Sequence, residues 1–402
     1  ITDSVVAQVI FLRLINIAFF VWGLVLFRRL LLRVGMSVPF THTALALFVL
    51  IPIVPLLAGQ INYDNVIMPL TAALCLLTVR IYDEFKTRRP NTKSLVLFFV
   101  VCATGALVKY AFIPFALAAV VFLAVAYWRA FRGRAKTVRR EIVHSYRAIP
   151  RRKLWLLGVA VFVVGGLAFQ RYGINMIKYQ APTPDCAAVL SVHQCMSYGP
   201  WARNHLLEAS KGDFNESPLA YTWTWLQAMH YRSFFMVNGP AAQFRNFPPL
   251  PLPAAFAIII GIVGVAAVLF YWRRVFAGRP LLIFLSLFCL TYIGILWTEE
   301  YSQFLETGQP VAINGRYLLP LLLPMAAVLG TGLREALRIV PAAKPWLAAV
   351  AIIAFLHGGG ALSFMLRTDP TWNWPEPTFT DDLNHAARNV LSPVIFEGSK
   401  YY

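Results

Sequence analysis

The chain carries a carboxylate in a short polar segment between two apolar stretches. The segment reads Gln60-Ile61-Asn62-Tyr63-Asp64-Asn65. A carboxylate between two membrane-crossing stretches is costly unless a cation, a hydrogen-bond network or water compensates its charge. Asp64 is therefore the first candidate for a functional residue. The alternative is that Asp64 only stabilises the N-terminus of the next helix, where acidic side chains are favoured.

Basic side chains occur at three further positions. Arg316 follows Gly315 at the start of an apolar stretch, where its guanidinium and free backbone amides can bind a phosphate, or where it can instead contact lipid head groups. Lys109 and Tyr110 stand in a tight turn between two apolar stretches. Arg13 lies inside the first apolar stretch, where a charge normally faces the bundle interior or a polar cavity. Three cations and one acid predict a phosphate-bearing ligand at one membrane surface.

Two other groups of residues are candidates for chemistry. Glu299 and Glu300 form an adjacent acidic pair, which is either a further acid site or an exposed acidic loop. The long polar segment 170–252 holds side chains that either bind a sugar by stacking and hydrogen bonds or form the core of a small domain. These are Trp201, Arg203, His205, Trp223, Trp225, His230 and Arg232.

Membrane-crossing helices must position these residues. The chain has 402 residues and is 58% hydrophobic, and about ten apolar stretches approach the ~20 residues that a helix needs to cross a bilayer. The predicted fold class is an all-α polytopic membrane protein with one larger non-cytoplasmic loop domain. The predicted spans cover 5–27, 41–58, 65–81, 94–110, 112–129, 154–169, 253–271, 280–297, 316–332 and 346–366.

Most basic residues fall on one side of this predicted membrane. With the loops assigned alternately to two sides, five loops hold 24 of the 36 Lys and Arg residues. By the positive-inside bias this basic side is cytoplasmic, so both chain ends and the candidate residues face outward. The net charge of +18 then reflects orientation and attraction to membrane lipids rather than binding to nucleic acid. The basic loops cover 28–40, 80–93, 129–153, 272–280 and 333–345.

The spans divide the chain into two membrane parts and two outer parts. Cys186 and Cys195 lie in the longer outer part, on the oxidising side, where disulfides persist. We expect them to be joined, and the alternative is two unpaired thiols. The predicted domains are 1–169 with six helices, 170–252 as an outer domain, 253–366 with four helices and 367–402 as an outer tail.

Four segments carry a family resemblance. They are Leu12-Arg13-Leu14-Ile15-Asn16, Gln60-Ile61-Asn62-Tyr63-Asp64-Asn65, Gly105-Ala106-Leu107-Val108-Lys109-Tyr110 and Gly315-Arg316-Tyr317-Leu318-Leu319-Pro320. In order and sidedness they resemble the polytopic glycosyltransferases of the GT-C superfamily, most closely the bacterial membrane-protein family DUF2142. The resemblance implies a GT-C-like protein of the bacterial plasma membrane. It also implies transfer of a sugar from a lipid-linked donor, a polyprenyl phosphate, to a glycan, lipid or protein acceptor on the non-cytoplasmic face.

The resemblance also assigns roles to residues. In that superfamily one outer loop supplies a general base, and a later loop supplies an acid that helps to hold a metal or the donor. Asp64 matches the later acid, as a catalytic residue and a ligand of a divalent metal such as Mg²⁺ or Mn²⁺. Lys109 and Arg316 would hold the donor phosphate, whose charge grows as it leaves. The remaining residues implied in substrate binding are Arg13, Asn62, Tyr110 and Tyr317.

The general base has no match, and we expect it on a segment before Ile1. An acidic pair there would favour the glycosyltransferase interpretation. One alternative is an enzyme similar to O-antigen ligases or polymerases, with Asp64 incidental. Another is a non-catalytic scaffold subunit of a membrane complex. The active groups of a ligase-like enzyme would be Arg171, Arg203, His205 and Arg232.

Overall fold

The computed structural model describes residues 4–51, 53–212, 215–234, 252–311, 313–338 and 341–356, and the single residues 382, 386, 389 and 390. Every regular element in this part of the chain is helical, as the sequence predicted. Seven of these helices are long and apolar enough to cross a membrane, or eight if one bent pair forms a single span. The chain is thus a multi-pass membrane protein, and its described part is all-helical.

The first part of the bundle contains α1 (Val5–Arg33), α2 (Val38–Val49), α3 (Ile53–Gly59), α4 (Asp64–Lys86), α5 (Thr92–Val108), α6 (Ile113–Phe131), α7 (Ala135–Arg147), α8 (Arg151–Ala168) and α9 (Ile174–Tyr179). The outer segment contains α10 (Cys186–Val189), α11 (Val192–Cys195), α12 (Gly199–Ser210) and α13 (Pro218–Phe234). The second part contains α14 (Leu252–Phe270), α15 (Trp272–Phe276), α16 (Pro280–Thr307), α17 (Leu319–Ala336) and α18 (Ala343–Leu356). Short turns, Tyr110–Phe112 and Gly315–Leu318, lead into α6 and α17.

Fewer than the ten predicted spans are long enough, among the described residues, to cross a membrane as single helices. α5 and α18 are apolar but have only 17 and 14 residues. α2 and α3 replace one straight span and meet at a bend of 73°. The sequence of this stretch contains Pro52 and Pro55, and a proline removes a backbone donor and commonly breaks a helix. The predicted outer tail 367–402 lies almost wholly outside the described residues.

Small residues and ion pairs hold the first helices together. Gly23 lets α1 approach α4 closely, because a Cβ atom there would lie 3.0 Å from Met68 Cβ. At the basic side the same two helices are joined by an ion pair between Arg33 and Asp83. α1 therefore supports α4, whose first residue is Asp64, along most of its length.

The outer segment begins later than predicted and packs on the bundle. α8 continues through a π turn into α9 as far as Tyr179, so residues 170–179 extend a helix. A disulfide joins Cys186 and Cys195, whose Cα atoms are 5.9 Å apart. α13 lies against the outer half of α16, where the rings of Tyr221 and Phe304 are 4.7 Å apart. Part of the outer segment thus folds against the helix ends.

The interpretation of Glu299 and Glu300 as an exposed acidic loop is wrong. α16 continues through these positions to Thr307. Polar residues at the end of a span can face a covering domain instead of solvent. Glu299 is exposed, whereas Glu300 is buried and accepts a hydrogen bond from the Trp225 indole N–H on α13. Glu300 therefore helps to attach the outer segment to α16.

Candidate functional site

Three side chains from distant parts of the sequence meet at the ends of the helices that lie opposite the basic loops. Asp64 is the first residue of α4, Lys109 lies between α5 and the turn before α6, and Arg316 lies in the turn before α17. Lys109 Nζ is 2.7 Å from Asp64 Oδ1, and Arg316 Nε is 3.5 Å from Asp64 Oδ2. We call these three residues the ion cluster.

The Asp64 carboxylate is directed at the cations and does not cap its own helix. The backbone N–H of Asp64 donates to the side-chain oxygen of Asn62 at 2.9 Å. Tyr63, at the N-cap position, makes no side-chain capping bond. Asn62 thus satisfies an amide at the start of α4, and both Asp64 oxygens are left to face Lys109 and Arg316. The interpretation of Asp64 as a helix cap alone does not describe this geometry.

An asparagine network fixes the segment that carries Asp64. Asn16 of α1 accepts hydrogen bonds from the Asn62 backbone N–H and from the Asn65 side chain, both at 3.1 Å. The buried Asn65 side chain also donates to the carbonyl oxygens of Leu57 and Gln60, at 2.9 and 3.0 Å. Asn16 was quoted in the resemblance without a role of its own. Asn62, predicted to bind substrate, acts here in positioning Asp64.

A tight turn between two helices presents Lys109. Gly105 permits the turn, since a Cβ atom there would lie only 2.2 Å from the Phe112 ring. Lys109 Nζ lies 4.5 Å from the ring centroid of Tyr317 and 5.3 Å from that of Tyr63, within the range of cation–π attraction. Burial lowers the pKa of Lys109, and the nearby Asp64 carboxylate offsets part of that effect. Lys109 therefore loses its proton at a lower pH than an ordinary lysine.

The outer segment positions Arg316. The Arg316 backbone N–H donates to the Asn314 side chain at 3.2 Å. Gly315 lies against α13, because a Cβ atom there would be 2.2 Å from the backbone carbon of Arg232 and the backbone nitrogen of Ser233. Ser233 Oγ also donates to the Gly315 carbonyl at 3.2 Å. Only glycine allows α13 to come this close to the residue before Arg316.

The ion cluster is largely enclosed. The side chains of Asp64, Lys109 and Arg316 are 8%, 17% and 30% exposed. They line a small crevice whose other walls include Phe112 and Tyr292. Two cations around one carboxylate leave a net charge of about +1. Among the described residues the Lys109 ammonium donates a hydrogen bond only to Asp64, and the crevice beside it has a volume of about 10 Å³.

Two predicted ligand-binding residues lie outside the ion cluster. Arg13 was expected to face the bundle interior or a polar cavity, but it is exposed on α1 and makes no hydrogen bond or ion pair with the described residues. α1 is apolar around most of its circumference, so its sequence does not reveal which face is buried. Tyr110 is 41% exposed, and its ring lies 6.3 Å from that of Tyr172 rather than against the cluster. Tyr317, by contrast, contacts both cations.

The residues of the ligase-like alternative lie on three different elements: Arg171 in the π turn after α8, Arg203 and His205 on α12, and Arg232 on α13. Arg171 donates to the Leu107 carbonyl at 2.7 Å, and Arg203 donates to the neighbouring Asn204 side chain at 2.8 Å. The His205 ring stacks on Trp201, with centroids 4.7 Å apart. On α13, Arg232 donates to the carbonyl of Ile313. Burial lowers the pKa of Arg232 to about 10, and Glu300 partly offsets that effect.

The side chains proposed to contact a sugar acceptor do not form one surface. Trp225 is buried against Glu300, whereas Trp223 on the same helix is 66% exposed. A ring nitrogen of His230 pairs with the Ala254 carbonyl at 2.8 Å. Trp225 and His230 therefore hold α13 in place, but Trp225 is the only buried side chain of the seven, so they do not form the core of a small domain.

The described residues do not provide a divalent-metal cage. No three His, Cys, Asp or Glu side chains within the described ranges lie close enough together to hold a metal ion. Asp64 is one carboxylate, and each of its oxygens faces a cation. Mg²⁺ and Mn²⁺ prefer several oxygen ligands. With two cations around a single carboxylate, the ion cluster fits a divalent metal poorly.

We predict that Gly315→Ala lowers the free energy of unfolding by about 1–3 kcal/mol, the usual cost of overpacking. The new methyl group would overlap the α13 backbone and displace the turn that carries Arg316. Gly166→Ala is the matched control, because no atom lies within 4 Å of a Cβ placed there. Denaturation of both purified variants in detergent measures the difference. Equal stability of the two variants would contradict the close contact between Gly315 and the α13 backbone.

Comparison with known proteins identifies no relative of this chain. The chain matches no protein-family model, no curated protein sequence and no solved structure. The function must therefore be argued from the geometry of the ion cluster, because a fold by itself does not specify a reaction.

Proposed function

We propose that the chain is a membrane glycosyltransferase of the bacterial plasma membrane. It transfers a sugar from a polyprenyl-phosphate-linked donor to a glycan, lipid or protein acceptor on the non-cytoplasmic face. One observation carries the proposal: Lys109 and Arg316 converge on Asp64 in an enclosed crevice at the outer ends of membrane helices. The distribution of basic residues supports the orientation, since the ion cluster lies opposite the basic loops.

The charge of the ion cluster favours a phosphate ligand. Two cations exceed one carboxylate, so the crevice attracts an anion. Arg316 presents a planar fork that suits phosphate oxygens, and Lys109 adds a compact charge. The position near the outer ends of α4 and α6 suits an amphiphile whose chain lies in the bilayer. A polyprenyl-phosphate donor combines both properties.

The cluster would act mainly on the leaving group. In the transfer, the bond between the sugar C1 and the phosphate oxygen breaks, and a bond between C1 and the acceptor oxygen forms. The phosphate gains negative charge as it leaves, and Lys109 and Arg316 stabilise that charge. Asp64 keeps the two cations in place before the donor arrives. The acceptor proton passes to a base other than Asp64, because Asp64 is held between two cations.

The first test compares sugar transfer by the full-length protein and by three variants in liposomes. Lys109→Ala and Arg316→Ala should each weaken donor binding by about 10- to 150-fold, the effect of losing a hydrogen bond to a charged group. Asp64→Asn should lower turnover, because the amide keeps the shape but no longer holds the cations. Lys178→Ala is the control, since Lys178 is an exposed cation of α9 outside the cluster.

A folding defect must be separated from a binding defect. Lys109→Ala leaves the buried Asp64 with less compensation, which itself destabilises a protein. The double variant Asp64→Asn/Lys109→Gln removes both charges, so it should recover stability without recovering donor binding. Transfer at the normal rate by all three single variants would refute the site.

The second test uses pH. Because burial lowers the pKa of Lys109, donor binding that needs the protonated amine should weaken as the pH rises through that lowered pKa. Lys109→Arg should extend binding to higher pH, since arginine stays protonated. The pH profile of KM for the donor measures the shift, and Lys178→Arg should leave it unchanged. An identical alkaline limb in wild type and Lys109→Arg would contradict a binding role for the Lys109 charge.

A further inference from the structure

A second feature of the fold is a large apolar cavity on another side of α17. It has a volume of about 1640 Å³ and is bordered by α2, α13, α14, α17 and α18. This volume exceeds the ~300–1,000 Å³ of pockets for drug-sized ligands. Ile262 and Leu269 on α14 line it and are 65% and 67% exposed, so it opens sideways to the surroundings of the bundle. Its size and position fit a lipid.

The cavity extends along α17 from Leu318 to Leu337. At 1.5 Å per residue this distance is about 28 Å, close to the ~30 Å thickness of the hydrocarbon layer. A lipid whose head group lies at one end therefore places its acyl chains in the nearer half of the cavity. Phe40, Ala44 and Ala348 are among the residues that line that half on the basic side.

The basic end of the cavity carries positive charge. Arg334 and Lys344 both line it there. Next to them Glu335, with a side chain only 1% exposed, lies between Arg338 at 3.0 Å and two arginines, Arg334 and Arg279, each at 3.8 Å. One carboxylate is thus outnumbered by four cations. Basic pockets between membrane helices bind anionic lipid head groups.

We infer that this cavity is a binding site for an anionic phospholipid of the leaflet on the basic side. The phosphate of the lipid pairs with Arg334 and Lys344, and its acyl chains enter between α2, α17 and α18. Glu335 keeps the arginines oriented and does not neutralise them. The site differs from the ion cluster in position and in the side of the membrane, and it does not depend on the proposed glycosyl transfer.

The experiment is native mass spectrometry of the full chain taken from vesicles with equal amounts of phosphatidylglycerol and phosphatidylcholine. The wild type should retain phosphatidylglycerol in preference. Arg334→Gln/Lys344→Gln should reduce that preference roughly 30-fold, because a cation near the membrane surface contributes about fivefold. The control Arg129→Gln/Lys136→Gln removes two exposed cations on the same side, outside the cavity, and should keep the preference.

A second pair of variants locates the lipid. Ala348→Trp places a bulky ring in the basic half of the cavity with the cations intact, so it should reduce retention. Asp64→Asn/Lys109→Gln should retain the phospholipid, because the ion cluster lies elsewhere. The inference is overturned if wild type retains both lipids equally or if the control loses as much as the cavity variant. It is also overturned if the ion-cluster variant loses the lipid, since the bound molecule would then be a ligand of that cluster.

Discussion

The buried carboxylate of Asp64 is the constraint on which the outer half of the structure depends. An ionised acid that is 6% exposed needs compensating charge. Lys109 and Arg316 provide it from two other parts of the chain, at 2.7 and 3.5 Å. The ion pairs therefore fix the start of α4 relative to the turn before α6 and the turn before α17. Loss of either cation leaves the buried Asp64 carboxylate with less compensating charge. The three side chains therefore depend on one another.

Contacts on two sides hold these three residues in position. On one side Asn16 binds Asn62 and Asn65 and joins the Asp64 segment to α1. On the other side Gly315 contacts the backbone of α13, and Glu300 with Trp225 attaches α13 to α16. The outer segment is thus part of the support for Arg316. A polar site on rigid helices can hold its cations ready for an anion, which reduces the cost of reorganisation on binding.

The sequence predicted those features of the fold and the site that follow from hydropathy and from the cost of burying a charge. It indicated a multi-pass helical fold, and it singled out Asp64, Lys109 and Arg316 because each is charged beside an apolar stretch. It did not indicate which way a side chain faces on a helix that is apolar all round. Arg13 was therefore expected to face the bundle interior, but it is exposed on the surface of α1. It assigned Glu300 to a loop because hydropathy does not separate a polar loop from a polar helix end that is covered by another domain. The contacts of Asn16 and Gly315 depend on the approach of distant segments.

The most direct test of the central claim is lipid binding by the full chain in nanodiscs, with a polyprenyl phosphate compared with the polyprenol of the same length. The two lipids differ only in the group that Lys109 and Arg316 are proposed to bind. The account predicts that the phosphate is bound at least about tenfold more tightly. It also predicts that the difference disappears in Asp64→Asn/Lys109→Gln/Arg316→Gln, in which no charge is left uncompensated. Equal affinity for the two lipids, or a difference that survives in this variant, would contradict the account.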